Sequence, residues 1–190
     1  VRREALKKCL TRLCEKRENR LEIVAFLRKN PESIAVLLEM IFTEEEEYGL
    51  IGGWSLDLAL QKDLYLILPY LDEFCQGIPR LLNQSAIRTM SKICATLAEA
   101  YYQKKDQKVI SAMKITHKEV MAEVCFDWLI GKHKVAAKVF SMTSLYKFGK
   151  EFDWIHPELE VILHRGYEEG SAGFRSRARK VLDNLKNSSA

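Results

Sequence analysis

The sequence predicts an all-α protein in which antiparallel helix pairs stack into a superhelix, and three observations predict it. Only 9 Gly and 4 Pro punctuate 190 residues, too few for the many tight turns of an all-β fold. Apolar residues recur at three-to-four spacing through most of the chain, the period of an amphipathic helix. Helix starts also recur near residues 31, 69, 117 and 157, and a period of roughly 40 residues is that of two-helix HEAT and armadillo repeats.

Each element has its own justification. Leu6, Cys9, Leu10 and Leu13 predict a capping helix over 4–16. Leu21, Val24, Ala25 and Leu27 continue the pattern to Asn30–Pro31. There asparagine suits the N-cap and proline the first helical position of a new helix, whose inward residues are Ile34, Leu37, Leu38 and Ile41. The acidic run Glu44 to Glu47 suits the positive end of the next helix, which carries Leu50, Trp54 and Leu58. Gly52–Gly53 inside that helix costs about 1 kcal/mol per glycine relative to alanine, which marks either a kink or a close helix approach, and close packing is the expectation.

Pro69 is poorly placed inside a helix and predicts a start, with Leu71, Phe74, Cys75 and Ile78 facing inward. Ile87, Met90, Ile93, Cys94, Leu97 and Tyr101 predict one helix from Ser85 to Lys104, and Gln103 to Lys108 a polar break. Thr116 with Glu119 reads as a capping box and Gly131 as a stop, enclosing Val120, Val124, Cys125 and Trp128. Val135, Val139, Met142, Leu145 and Tyr146 give the next helix. His156–Pro157 opens another with Leu159, Ile162 and Leu163, and Phe174, Ala178, Val181, Leu182 and Leu185 form the last. No strand is predicted. The organisation is a single domain over 1–190, a right-handed α-α superhelix: an N-terminal cap at 4–16, pairs at about 18–42, 45–82, 84–130 and 132–170, and a C-terminal cap at 173–187.

Composition narrows the function. A 47% apolar, 29% charged chain is ordinary globular material, and its longest apolar run, Leu64 to Leu71, falls far short of the roughly 20 residues of a membrane span. Charged Arg2, Arg3 and Glu4 form no secretory leader pattern, and five cysteines without a Cys-x-x-Cys pair predict a reducing, cytoplasmic setting. His117, His133, His156 and His164 make no metal-ligand spacing, and Gly49, Gly52 and Gly53 precede no Lys-Ser or Lys-Thr. No metal and no cofactor are therefore expected. Cys9, Cys75, Cys94 and Cys125 read as small core residues, with Cys14 partly exposed, and Trp54, Trp128 and Trp154 as core.

The segments Pro69-Tyr70-Leu71-Asp72-Glu73-Phe74, Ser85-Ala86-Ile87-Arg88 and Gly170-Ser171-Ala172-Gly173-Phe174-Arg175 resemble those of a group of short bacterial HEAT-like proteins, and the likeness covers most of the chain. Some members of that group carry the name adenylosuccinate lyase. The lyase loop resembles Gly-Ser-Ser-x-Met-Pro-x-Lys-x-Asn, whereas Gly170-Ser171-Ala172-Gly173 lacks the Met-Pro and the lysine–asparagine pair. The resemblance thus implies the fold and not the lyase activity.

The function expected is a non-enzymatic protein-interaction scaffold. Net charge is only +4, from 30 basic and 26 acidic residues, but the second helices of the pairs are strongly acidic. They hold Glu32, Glu39, Asp72, Glu73, Glu119, Glu123, Asp127, Glu158, Glu160, Glu168 and Glu169 against Arg80, Lys118 and Arg165. If those helices line a concave face, the face repels phosphate and attracts a basic peptide or protein segment, increasingly weakly as salt rises. The alternative is a DNA-binding protein, since the DNA alkylation repair glycosylases resemble this architecture and use aromatic residues with an aspartate on a basic surface. Asp57 near Trp54, Asp127 beside Trp128, and the cluster Arg175, Arg177, Arg179 and Lys180 are of those residue types.

Overall fold

The structure, a computed structural model, describes residues 2–15 and 20–189. It is all-α, with no strand among the described residues. The helices are α1 (Arg2–Glu15), α2 (Arg20–Lys29), α3 (Ser33–Thr43), α4 (Glu45–Lys62), α5 (Leu71–Gly77), α6 (Gln84–Ala98), α7 (Gln107–Ala112), α8 (Ile115–Ile130), α9 (Val135–Phe148), α10 (Ile155–Arg165) and α11 (Ala172–Ser189). Short 3₁₀ segments cover Leu64–Tyr70 and Ile78–Arg80, and a π-helical turn, Glu99–Gln103, continues α6. The chain forms two compact units, Val1–Met90 with Ser111–Met113, and Ser91–Ile110 with Lys114–Ala190.

In the first unit α3 is the most apolar helix, burying Ile34, Leu37, Leu38, Met40 and Ile41. It packs on α1, α4 and α5, and α4 also receives α2. The paired glycines of α4 explain how closely these helices meet. A Cβ on Gly52 would lie 2.9 Å from Ile41 Cγ1 and 3.3 Å from Leu37 Cδ1, while one on Gly53 would touch Thr89 at 3.4 Å. Gly52→Val is therefore expected to destabilise by about 2 kcal/mol through overpacking, measured as a lower urea midpoint; an unchanged midpoint would refute the close-approach account.

Several boundaries depart from expectation, each for a local reason. Asn30 does not cap α3 with its side chain. Its amide instead donates to Phe26 O at 2.9 Å, closing α2, and α3 begins at Ser33. An α-helix does start close to Pro69, α5 at Leu71 with Leu71, Phe74, Cys75 and Ile78 buried, but the proline itself lies in a 3₁₀ segment that Asp63 starts by accepting from the Tyr65 N–H at 3.1 Å. The Thr116/Glu119 box is absent. Helix α8 begins at Ile115, and the Lys114 N–H donates to His117 Nδ1 at 3.3 Å, so both predicted box residues sit exposed inside the helix. Asp106, which accepts from the Lys108 and Val109 N–H groups, caps the unexpected α7 within the polar break. Leu21 and Leu50, expected inward, are 72% and 62% exposed. At 100° per residue, each falls well away from the buried stripe of its own helix.

The second unit is organised around α9. Helix α8 packs along it, and α10, α11 and the π-turn also contact it. Ala137, Met142, Leu145 and Phe148 of α9 are fully buried, and Phe174, Ala178, Val181, Leu182 and Leu185 of α11 are covered. Gly131 ends α8 as expected, its N–H bonding to Asp127 O at 2.9 Å.

Candidate functional site

The π-turn is where the second unit departs from regular helix, and such turns are frequent at functional positions. The Lys104 N–H bonds to Glu99 O at 3.0 Å, which widens the turn. Lys105 then adopts a left-handed φ of 54°, letting the Asp106 N–H reach back to Ala100 O at 3.0 Å. The consequence is that the consecutive residues Tyr101 and Tyr102 serve one polar cluster. Lys118, only 3% exposed, donates to Glu151 Oε1 at 2.6 Å, to Glu151 Oε2 at 2.8 Å and to Tyr101 Oη at 3.0 Å. The Tyr102 hydroxyl donates to Glu151 Oε2 at 2.5 Å.

Burial opposes both charges of this pair, but the bonds outweigh it. The hydrogen bonds to Glu151 and Tyr101 hold the Lys118 pKa above its ordinary value, and those from Lys118 and Tyr102 hold the Glu151 carboxyl below its own. Burial, reinforced by the bond to Glu151, pushes the Tyr102 phenol up, so it stays protonated as a donor. Both tyrosine hydroxyls come from the π-turn, so these bonds tie the turn to α8 and to Glu151.

Beside the turn lies a cleft of about 610 Å³. Thr143, Tyr146, Lys147 and Lys150 line it from one face of α9, Arg177, Lys180, Val181 and Asn184 from one face of α11, and Glu99, Tyr102 and Gln103 from the turn. Spacings of three and four place each set on a single helix face. Lys147, 9% exposed, donates to Gln103 Oε1 at 2.5 Å. Burial pushes its pKa down, Glu99 opposing and Lys150 adding to the effect. Glu99, the carboxylate among the lining residues, pairs with Lys104 at 3.3 Å, whereas Lys147, Lys150, Arg177 and Lys180 form no ion pair among the described residues. Four cations thus converge on one concavity of ligand-sized volume.

The residues singled out in the sequence are distributed differently from one another. In the first unit Glu32 is half-buried, Glu39 pairs with Arg3 at 3.0 Å, and Asp72 and Glu73 are exposed on α5. In the second, Glu119, Glu123 and Asp127 are exposed along α8, Glu158 is exposed on α10, and Glu160 lies 3.8 Å from His164. Lys118, counted among the groove bases, is buried instead. The basic cluster of α11 divides: Arg177 and Lys180 line the cleft, while Arg175 and Arg179 lie with Lys180 in a shallower depression, Arg179 Nε donating to Tyr167 Oη at 3.0 Å.

Among the tryptophans, Trp128 is buried and Trp54 half-buried. Trp154 is not core: it is 50% exposed and stacks on Phe126 at 5.4 Å. Asp57 accepts from Gln61 at 2.9 Å. Cys75, Cys94 and Cys125 are buried and Cys9 is half-buried, with burial pushing the Cys75 thiol up to about 12, the behaviour of a core residue rather than a nucleophile. Cys14 lies outside the described side chains. Ser171 accepts from the Phe174 N–H at 3.3 Å and so caps α11.

Sequence reasoning missed Lys147, Lys150 and the Lys118–Glu151 pair. A signal existed: Lys118 stands three, four and seven residues before Met121, Ala122 and Cys125, an apolar-stripe position occupied by a charge. No helix among the described residues is long and apolar enough to cross a membrane, and no group of three or more His, Cys, Asp or Glu side chains among them could hold a metal ion. No known protein family, curated protein or solved structure matches the chain.

Proposed function

We propose that the chain is a non-enzymatic interaction module, a right-handed superhelix of about four HEAT-like helix pairs that holds a basic protein or peptide segment against its acidic helices. The observation that carries this reading is the stripe Glu119, Glu123 and Asp127. Four-residue spacing puts all three on one exposed face of α8. Like charges in such a row repel one another, and a basic segment laid along α8 relieves that repulsion. Glu158 on α10 adds a further exposed acid to the same unit.

A lysine- and arginine-rich peptide is expected to bind at low ionic strength and to weaken progressively as salt screens the attraction. Fluorescence anisotropy should show at least about a tenfold loss in the Glu119→Gln, Glu123→Gln, Asp127→Asn triple variant, consistent with the summed worth of a few rim charges. Equal affinity in the variant would remove the reading. A DNA-binding, glycosylase-like protein is the second reading, favoured by the exposure of Arg175 and Arg179 on α11. On the first reading any duplex binding is nonspecific and falls steeply with salt. Salt-resistant, lesion-dependent binding lost in Asp57→Asn or Asp127→Asn would replace the first reading with the second.

A further inference from the structure

The cleft between α9, α11 and the π-turn uses none of the acidic residues of α8, and it makes the opposite electrostatic demand. Lys147, Lys150, Arg177 and Lys180 stand around one concavity without a carboxylate in ion-pair contact among the described residues. Lys147 is buried and Arg177 half-buried, while Lys150 and Lys180 are exposed, and gathering like charges around one concavity is unfavourable unless an anion offsets it. Lys147 makes the point most clearly, since its ammonium is recessed and its described partner is a neutral amide, Gln103 Oε1. An ammonium has three protons to donate, and Lys147 has one neutral acceptor and only the through-space attraction of Glu99, which is itself paired with Lys104, so its charge is incompletely compensated.

We propose that this cleft is a binding site for a small phosphorylated molecule, whose terminal phosphate bonds Lys147 at the floor while Arg177 and Lys180 close over it from α11. Three features select that chemistry. A phosphate monoester carries nearly two negative charges and three strong acceptor oxygens, enough to engage several cations at once, which a single carboxylate is not. Arginine presents a planar fork that matches phosphate geometry, and lysine supplies a point charge beside it. The volume of about 610 Å³ lies within the range of small-ligand sites. The recessed position of Lys147 favours a terminal phosphate on a small molecule over the backbone of a duplex. The Lys118–Glu151–Tyr102 bonds hold the turn that presents Gln103, so the floor is assembled before the ligand arrives.

The test uses the full chain and three probes, inorganic phosphate, pyrophosphate and ATP, by calorimetry at low ionic strength, with sulfate as a control anion. Pyrophosphate or ATP is expected to bind, and Arg177→Gln with Lys180→Gln to weaken that binding at least tenfold without changing the melting temperature of the free protein. Lys147→Met is expected to abolish it. Because that variant alters a buried position, the α11 double variant is the deciding one. No binding of any phosphorylated probe at millimolar concentration, or binding indifferent to the double variant, would overturn the proposal. Equal binding of sulfate and pyrophosphate would also overturn it, leaving a nonspecific anion patch. A single-stranded oligonucleotide that binds far more tightly than ATP and is lost in the same variant would replace the small ligand with a nucleic acid. None of these outcomes depends on whether a basic peptide binds α8, so the two readings stand or fall separately.

Discussion

A chain ending at residue 170 is expected to lose the folded second unit, with early melting and aggregation. Phe174, Val181, Leu182 and Leu185 of α11 are each less than a tenth exposed, and all four would leave with the helix. Burying such a side chain contributes about 1.5–3 kcal/mol, so their combined contribution approaches the roughly 5–15 kcal/mol that holds a typical domain together. The truncation also uncovers the faces of α9 and α10 against which α11 packs, and α9 is the helix that α8, α10 and α11 all meet. Size-exclusion chromatography and a thermal scan of the shortened chain check this. A monomer with an unchanged melting curve would show that α11 is an appendage rather than a cover.

Glu151→Gln is expected to destabilise the second unit by about 2–3 kcal/mol, because it leaves the Lys118 ammonium buried without its counter-charge. The lower part of the usual range applies, since the Glu151 side chain is 31% exposed and water can partly replace it. Replacing both members, Lys118→Met with Glu151→Leu, should cost less than the single change. Urea unfolding followed by tryptophan fluorescence compares the three, and a double variant less stable than Glu151→Gln would refute the pairing argument. The pH dependence has a definite sign. Glu151 is held below its unfolded pKa, so its contribution is present above about pH 4.3 and is lost as pH falls through the lowered folded value. Lys118 is held above its own, so its contribution is present below about pH 10.4 and is lost as pH rises through the raised folded value. Between those limits the stability from this pair is flat, and Glu151→Gln should show a shallower acid limb.

The helices were legible where burial is decided by period alone. Leu145 and Met142 on α9, or Phe174 to Leu185 on α11, follow three-to-four spacing and lie buried as it requires. Boundaries were less legible because short polar side chains have several backbone partners within reach. Asn30 can serve the end of α2 as readily as the start of α3, and His117 takes the role expected of Glu119. The all-α class followed from composition, yet the cleft did not. Its residues come from three segments, with Gln103 and Lys147 separated by 44 positions, and only folding juxtaposes them. Charge counting by helix also treated every ionised side chain as surface. Lys118 shows the error, because its charge is spent on Glu151 and never reaches a ligand.

The π-turn at Glu99–Gln103 gives this stretch of chain an unusual relation to insertion and deletion. Within an ordinary α-helix, removing a residue swings everything beyond it by about 100° and mismatches the buried face. A widened turn already holds one residue more than the α-helical ladder needs. Shortening the chain by one there therefore lets the helix revert to regular pitch with its apolar stripe intact. The loss would fall on chemistry instead: Tyr101 and Tyr102 could no longer both address Lys118 and Glu151, and Gln103 would turn away from Lys147. One residue of length in this helix thus separates a plain structural rod from one that shapes the wall of a charged cleft.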